Sequence, residues 1–596
     1  MDNNRLILNI FAFAAGIALY FSLSVEPVLQ FPLLIAVLSS LCFYRLRWPV
    51  FLFIAGFCWA LFRAELIDTN LVRRYRFSTE LSGVIERVDY AATRTRIFVR
   101  DEQRRLIRVS MPKESICRVG EVVNLRIKLY PPNTIDAFTN FDYARHSFWT
   151  GLSGTAVLIS GDCEGLPNTA LRDRIHYSAN NRLVDSLVLG YKHAQPREEF
   201  NMVRNLGIAH VFSISGMHMM LVGGWIFIIF YFLLRLSPAL VRRYPAKNIA
   251  LPIVSVFLFG YLVLSGAGIP TIRSYAMVLF GCIAVLMNRK VLSLRNALIV
   301  FMAMIIANPY WLVSVGFQLS FAAVIGLIYY FGKPRFTKYP KLIRVLGVIF
   351  MMDVISTIWT APFVVYHFHS FPLYTLLGNV TMLPIFSFVI MPAVLIGAVT
   401  ALFGITAPLL ISDAAYSVVV DFAKFVASFP SAMIDTKFLT SLSLFLIFGG
   451  MALFLIGRRQ SAAAVIIAAI VYSLAQPKPI LRTTRDSEIV SFYKDGVTYF
   501  NVSRSERHRF VIPRGNRNRA RCRRGFCVYE TENWTAVSVQ RLMPIVRNLD
   551  RLCEYDFVIS YLRLELENCP EKVIRGSVKI YKDGRVERIQ RRRRWN

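Results

Sequence analysis

Apolar runs of about 20 residues recur along the chain, and two long polar stretches interrupt them. A helix needs roughly 20 apolar residues to cross a hydrocarbon core about 30 Å thick, and the first such run is Leu6–Leu23. The polar stretches, residues 68–165 and 477–596, contain no run of this kind. The pattern therefore predicts a polytopic α-helical membrane protein with about 13 spans and two domains outside the membrane.

The same pattern divides the chain into five parts. They are N-terminal transmembrane helices (1–67), a β-rich domain (68–165), an amphipathic connector (166–204), the main transmembrane domain (205–476) and a small α/β or β-rich domain (477–596). The overall composition agrees, since 55% of the residues are hydrophobic and the mean hydropathy is +0.47. These values exclude an ordinary soluble enzyme.

Lysine and arginine predict which loops face the cytoplasm, because cytoplasmic loops of membrane proteins are enriched in them. The basic loops contain Arg45, Arg47, Arg242, Arg243, Lys247, Arg289, Lys290, Arg295, Lys333, Arg335, Lys338, Lys341, Arg344, Arg458 and Arg459. If these loops face the cytoplasm, both polar domains are expected to lie on the other side of the membrane. The uncharged stretch 371–402 is then expected to form a tight hairpin, broken around Pro384 and Pro392.

The cysteines agree with an exported location for both polar domains. Cys117 and Cys163 fall in the first domain. The second contains Cys522, Cys527, Cys553 and Cys569. An even number in each domain favours one and two disulfides in an oxidising compartment. The alternative for the last four is a zinc site, since four residues lie between Cys522 and Cys527 as in some zinc knuckles.

Three polar interruptions break the apolar runs of the main domain. They are "HVFSISGMH" from residue 210, "LSGAGIPTIRSY" from residue 264 and "NPYWLVSVGFQLSF" from residue 308. Bends and polar groups persist within hydrocarbon only where they face protein or water. The predicted lining of a polar passage is His210, Ser213, Ser215, His218, Arg273, Gln318, Ser320 and Asn379. The predicted helix breaks are Gly216, Gly266, Gly268, Pro270, Gly316 and Pro384.

The same residues allow three interpretations other than a polar passage. A His210–Ser213 hydrolase lacks a G-x-S-x-G elbow and an acid to orient the histidine. A metal shared by His210 and His218 is disfavoured, because straight helix would separate them by about 12 Å. The plainer alternative is that the serines bond to helical carbonyls and the histidines pack between helices.

Arg273 is the most informative of these residues. It follows a helix-starting proline, where a cation opposes the helix dipole and needs a carboxylate or an anionic ligand nearby. Asp353 is the candidate acid, but the charge pattern places it nearer the opposite face of the membrane. Broken helices that face an anionic cargo satisfy both observations.

The three interruptions resemble the ComEC competence family, the inner-membrane channels that take single-stranded DNA into bacteria. Two further segments carry the resemblance, "TAPFVVYHFHSFPLYTLLGNVTMLPIFSFVIMP" and the earlier "AFTNFDYARHSFWTGLSGTA". The resemblance implies an OB-like fold for 68–165 and a DNA channel for 205–476, with both soluble domains in the periplasm. It also implies four kinds of partner: single-stranded DNA, the bilayer, a periplasmic DNA-binding receptor, and a separate cytoplasmic motor or single-strand-binding proteins.

The C-terminal domain departs from the family pattern. Many members carry a metallo-β-lactamase-like domain there, but only His508 of the eight histidines follows residue 477. A metal-binding histidine cluster cannot be assembled from one histidine. The expectation is a degenerate remnant with no metal, no cofactor and no catalytic residues, in a chain that is not an enzyme. No G-x-x-x-x-G-K-[ST] loop occurs, so the energy for transport is expected from a partner.

Two features leave alternatives open. The C-terminal domain is basic and ends in Arg591, Arg592, Arg593 and Arg594, which suits DNA or an anionic lipid, or else forms a solvated basic face. The amphipathic stretches 169–188 and 411–429 either lie along the outer membrane interface or are packed connectors. The alternative function for the whole chain is transport of an anionic lipid or small metabolite.

Overall fold

The computed structural model describes most of the chain. The described residues are 3–27, 47–132, 141–163, 170–191, 194–214, 216–237, 245–288, 293–332, 340–429, 432–436, 439–477, 479–484, 489–495, 497–501, 516–520, 522–523, 526–539, 550–560, 564, 566, 568–589 and 593–595.

Helices dominate the described part outside the two polar domains. In chain order they are α1 (Asn3–Ser22), α2 (Arg47–Glu65), α3 (Tyr143–Thr150), α4 (Leu171–Ala179), α5 (Arg182–Leu187), α6 (Arg197–Asn205), α7 (Gly216–Arg235), α8 (Ala246–Leu264), α9 (Ile269–Leu286), α10 (Leu294–Ala307), α11 (Val315–Phe331), α12 (Lys341–Phe368), α13 (Thr375–Ile385), α14 (Met391–Thr400), α15 (Ala407–Ala427), α16 (Ser441–Leu455) and α17 (Arg459–Ala475).

Seven helical stretches in the described part are long and apolar enough to cross a membrane. They are α1, α2, α7, α8, α9, most of α12, and the run Thr375–Phe403. Four shorter apolar helices, α10, α11, α16 and α17, accompany them. These helices fit a membrane protein, whereas the number of about 13 spans and the export of the two polar domains stay predictions.

The hairpin expected over 371–402 is wrong. Helices α13 and α14 form one rod through a π turn, Phe386–Ile390, in which the N–H of Met391 bonds to the carbonyl of Phe386 five residues back. Proline has no N–H to donate, and the wider π turn accommodates this defect at Pro392 without ending the helix. Pro384 lies inside α13, so its predicted role as a helix break is also wrong.

Residues 76–160 form a closed five-stranded barrel. Its strands are β1 (Arg76–Tyr90), β2 (Thr95–Asp101), β3 (Leu106–Met111), β4 (Val122–Tyr130) and β5 (Leu152–Ser160), in the order β1-β2-β3-β5-β4. Strands β3 and β5 run parallel, and the other neighbours are antiparallel. Alternate residues of β4 are buried, as a barrel with one apolar interior requires. The β-rich prediction is confirmed, and the OB-like identity stays a prediction.

The described part of 477–596 is also built from strands. A short pair, β6 (Ser370–Pro372) and β7 (Met433–Asp435), precedes it. Its own strands are β8 (Leu481–Thr483), β9 (Val490–Lys494), β10 (Val497–Phe500), β11 (Asn516–Arg519), β12 (Cys522–Arg523), β13 (Phe526–Glu530), β14 (Thr535–Val539), β15 (Phe557–Ser560), β16 (Val573–Ile574), β17 (Val578–Ile580) and β18 (Val586–Arg588). One sheet has the order β11-β10-β9-β8-β17-β18 and the other the order β12-β13-β14-β15-β16.

Residues 593–595 form an anchor against the N-terminal helices. The indole of Trp595 is 1% exposed, packs edge-on to Tyr20, and donates to Asp142 at 3.2 Å. The Arg593 guanidinium lies over the Tyr20 ring and pairs with Glu26 at 3.3 Å.

This anchor corrects one interpretation of the basic end. Arg594 bonds to Glu65 at 2.8 Å, so it and Arg593 are neutralised by carboxylates of the chain itself. The hypothesis that these two arginines serve DNA or an anionic lipid is therefore wrong. Arg591 and Arg592 lie outside the described residues.

The six cysteines of the polar domains form three disulfides. Cys117 bonds to Cys163, Cys522 to Cys527 and Cys553 to Cys569. One bridge in the first domain and two in the second confirm the expected numbers. Because zinc binds thiolates, these bonds leave no ligands for the alternative zinc site.

The Cys117–Cys163 bridge is expected to supply much of the stability of the barrel. It closes a loop of 46 residues, and loop closure of that length stabilises a fold by about 4 kcal/mol. Replacing both cysteines by serine should lower the urea midpoint at which the barrel of the full chain becomes protease-sensitive. Cys58→Ser, at a half-buried free cysteine, is the matched control. An unchanged midpoint in the double variant would show that packing alone holds the barrel.

Candidate functional site

The first two polar interruptions lie side by side. A 3₁₀ turn, Ala209–Phe212, ends just before α7 begins at Gly216, and α9 begins after Gly268. The hydroxyl of Thr271, in the first turn of α9, donates to the carbonyl of Ile214 at 3.4 Å. A Cβ added to Gly216 would stand 3.8 Å from the Ser274 hydroxyl. The N-terminal ends of α7 and α9 therefore adjoin.

The third interruption brings in the N-terminus of α11. A Cβ added to Gly316, the second residue of α11, would lie 3.1 Å from Cγ of Pro270, the second residue of α9. Three helix N-termini thus meet at one place. Each carries unpaired N–H groups and the equivalent of about half a positive charge.

Small residues and proline make this convergence possible. Of the predicted breaks, Gly216, Gly266, Gly268, Pro270 and Gly316 all lie at or just before these helix starts. Gly266 has φ of 74°, in the left-handed region that favours glycine. Proline in the first turn of α9 loses no helical hydrogen bond.

Arg273 lies in α9 next to the convergence and is 4% exposed. Its Nη2 donates to the Ser274 hydroxyl at 2.9 Å, and its Nη1 lies 3.9 Å from Sδ of Met277. Its Nε has no hydrogen-bond partner in the described part of the chain, and no described carboxylate lies within 4 Å of the guanidinium. A buried cation without a counter-charge is costly. It is suited to an anion that arrives from outside the protein.

Asp353 does not neutralise Arg273. One of its carboxylate oxygens accepts a hydrogen bond from the Asn379 amide at 2.6 Å. This contact joins α12 to α13, as expected for an interhelical role of Asn379.

The remaining predicted lining residues lie in two parts of the fold, the start of α7 and helix α11. His210 and Ser213 are exposed on and beside the 3₁₀ turn, and His218 is buried in the first turn of α7. Ser320 is half-buried in α11. Ser215 lies outside the described residues.

Gln318 lines a large cavity, which we call the chamber. The chamber measures about 1360 Å³ and lies between α1, α10, α11, α12, α16 and the sheet that contains β8 and β17. The Gln318 amide donates to the carbonyl of Leu312 at 2.9 Å, and its oxygen lies 2.7 Å from Nε2 of His367. A polar pair thus stands at the chamber wall.

The comparisons with known proteins cover the convergence and most of the spans. A family model described as "Competence protein" matches residues 187–461. The chain is also similar to ComE operon protein 3 of Bacillus subtilis (strain 168), at 27% identity over 276 residues. The transmembrane region of the chain is therefore similar to the ComEC competence family. The alignment takes in 45% of this chain and 33% of the relative, so it spans about a third of the relative's length. No solved structure matches the chain.

The family match places the candidate site within the shared region. All three interruptions lie inside residues 187–461, whereas the barrel and the C-terminal domain lie outside it. His367 lies inside it as well. His367 is not among the predicted lining residues. Like His210 and His218, it is an ionisable residue within an apolar run, and such residues are candidates for a functional site.

The connector joins the barrel to the convergence. The Tyr90 ring of β1 stacks on His176 of α4 with ring centres 3.8 Å apart. Arg172 donates to the carbonyl of Leu189 at 2.6 Å, and its guanidinium faces Gly266. The amphipathic stretches 169–188 and 411–429 pack against each other, because they share one buried core. Packing into this core fits the packed-connector alternative, whereas a position along the outer membrane interface stays a prediction.

The buried pair His176–Asp185 predicts a pH dependence of the connector. The Asp185 carboxylate lies 2.6 Å from Nδ1 of His176, yet burial outweighs this contact and raises the pKa of Asp185 above its ordinary value of 3.8. A raised carboxyl pKa means that the folded state binds the proton more tightly than the unfolded state. The contribution of this carboxyl to stability is therefore fully present below its ordinary pKa of 3.8 and is lost as the pH rises through the raised pKa.

Asp185→Asn should flatten that slope, because the amide stays neutral. The measurement is the thermal midpoint of the full chain between acidic and neutral pH, compared with the exposed control Glu102→Gln. Parallel profiles for wild type and Asp185→Asn would show that this carboxyl does not titrate during unfolding.

Proposed function

We propose that the chain is a channel that passes single-stranded DNA from the periplasm to the cytoplasm during natural transformation. One observation carries the proposal: within the family-matched region, three helix N-termini and the unneutralised Arg273 converge beside polar, exposed residues. Similarity of residues 187–461 to the competence family supports DNA as the cargo.

The chemistry of the convergence suits a strand of phosphates. Each nucleotide carries one negative charge, and low-dielectric hydrocarbon strongly disfavours that charge unless polar groups replace its water. Helix N-termini bind phosphate through free N–H groups and the dipole. The Nε of Arg273 adds one further donor.

The same arrangement allows the strand to move on. Conduction needs a site that attracts the ion but also releases it. Partial charges at three helix ends and one guanidinium provide attraction at a single point along the strand. His210 and Ser213, exposed next to this point, would offer hydrogen bonds to the following nucleotide.

In this proposal the chain is a channel without an enzymatic step. Both polar domains are periplasmic, and the basic C-terminal domain meets DNA delivered by a receptor. A separate cytoplasmic motor or single-strand-binding proteins would supply the energy that draws the DNA strand into the cytoplasm.

A strain that lacks the chain tests the proposal. Labelled DNA should still reach the periplasm of that strain but should no longer enter the cytoplasm, and wild-type protein should restore entry. Unchanged cytoplasmic label in the deletion strain would overturn the proposal. It would favour the alternative, a carrier for an anionic lipid or small metabolite.

A further inference from the structure

The chamber has an apolar floor. Aromatic and aliphatic side chains from five helices form the floor, and they are Ile10, Phe11, Leu298, Phe301, Phe317, Phe321, Ile325, Trp359, Phe363, Phe445, Phe448 and Met451. Several come from helices long and apolar enough to cross the membrane. An apolar cavity of this kind favours an apolar occupant over water.

The wall opposite the floor is polar and positive. The charged lining residues are four cations, Arg145, Arg482, Lys579 and Arg588, against one carboxylate, Glu587. Lys579 lies 3.7 Å from Glu587, whereas Arg588 is exposed on β18. Burial lowers the pKa of Arg482 to about 10, which still leaves it charged at neutral pH.

Hydrogen-bonding groups stand between floor and wall. Gln318 and His367 bond to each other at 2.7 Å, and Tyr366 and Ser441 at 3.0 Å. The Nε of Arg145 has no partner in the described part of the chain. The lining of the chamber therefore changes from apolar side chains on the helices to cationic side chains on the sheet.

We infer that the chamber holds an anionic membrane phospholipid. Its phosphate would lie against Lys579 and Arg588 of the C-terminal sheet, and its acyl chains among the aromatic side chains of the floor. At about 1360 Å³ the chamber exceeds the roughly 300–1,000 Å³ of small-molecule sites. A single DNA strand would also satisfy the cationic wall and could stack its bases on the aromatic rings of the floor. The aliphatic side chains of the floor, Ile10, Leu298, Ile325 and Met451, offer no stacking surface and favour acyl chains, so the lining favours a lipid.

The bound lipid would attach the C-terminal domain to the spans. This role is distinct from DNA passage at the convergence, because His210, Ser213, His218 and Arg273 do not line the chamber. Gln318 is the residue of the predicted passage that does line it, so the variants below leave Gln318 unchanged. Loss of lipid binding and loss of DNA entry can therefore be observed separately.

The test uses the full chain purified in detergent and titrated with defined ligands. Native mass spectrometry would compare phosphatidylglycerol, phosphatidylcholine, inorganic phosphate and a single-stranded oligonucleotide. We expect phosphatidylglycerol to bind about tenfold more tightly than phosphatidylcholine, a difference of about 1.4 kcal/mol. Inorganic phosphate and the oligonucleotide should not displace it.

Variants locate the site. Arg588→Glu should remove the preference for phosphatidylglycerol, whereas Arg551→Glu, at an exposed arginine of the same domain outside the chamber, should retain it. Ala322→Trp, which places bulk in the floor, should weaken binding of both lipids while the thermal midpoint shows that the chain is folded.

Four outcomes would overturn the inference. Two are equal binding of the two lipids by wild type and equal effects of Arg588→Glu and Arg551→Glu. The third, displacement of the lipid by the oligonucleotide, would reassign the chamber to DNA. The fourth, displacement by inorganic phosphate, would reduce the chamber to a free-anion site.

Discussion

Replacing Arg273 by glutamate is expected to stop DNA entry into the cytoplasm while the protein stays in the membrane. The guanidinium is buried without a described carboxylate partner, and the substitution puts a negative charge on the path that we propose for the phosphates. A hydrogen bond from the guanidinium to a charged phosphate is worth about 1.5–3 kcal/mol, to which charge reversal adds repulsion, and about 3 kcal/mol corresponds to roughly a hundredfold. Transformation frequency should fall by at least that factor, at equal protein level.

Two variants separate charge from structure. Arg273→Lys keeps the positive charge and should retain a measurable part of the uptake. Arg174→Glu reverses an exposed charge on α4, the helix whose Arg172 faces Gly266, and should leave uptake near wild type. Equal uptake by Arg273→Glu and wild type would remove this residue from the DNA path.

Replacing Trp595 by alanine is expected to destabilise the contact between the C-terminal segment and the N-terminal helices by about 3–5 kcal/mol. The indole is buried against Tyr20, Phe21 and Phe148 and donates to Asp142. Its loss leaves a cavity and an unpaired acceptor. It also loosens Arg593, which lies over both the Tyr20 and the Trp595 rings.

The measurement is the rate at which protease cuts the C-terminal domain from the full chain. Trp595→Ala should be cut much faster than wild type. Trp48→Ala, at a tryptophan that is 63% exposed, should be cut at the wild-type rate. Wild-type resistance in Trp595→Ala would mean that the sheets of the C-terminal domain are held by other contacts alone.

The sequence predicted the candidate site in part because polar and bent residues are conspicuous in apolar runs. Arg273, Gly266, Gly268 and Pro270 stand in one such break, and the structure places them at a helix start. The convergence itself could not be foreseen. It depends on contacts among residues near 216, 270 and 316, which are far apart in sequence and are brought together only by helix packing.

Two errors had local physical causes. Two prolines in an uncharged stretch indicated a hairpin, but a π turn accommodates the missing N–H of Pro392 and the helix continues. The arginine-rich end indicated an external anion, but Glu26 and Glu65 of the N-terminal region neutralise Arg593 and Arg594. Neither a π turn nor a partner several hundred residues away has a signature in the local pattern.

Photo-crosslinking during uptake tests the central claim most directly, namely that the DNA strand passes the three converging helix ends. A photoreactive amino acid would replace the exposed Ser213 or, as a control, Ile228, which is 52% exposed in α7. Labelled DNA should crosslink at position 213 and not at 228, and the crosslink should disappear when Arg273→Glu is added. Uptake of DNA without any crosslink at position 213, or with equal crosslinks at both positions, would contradict the account.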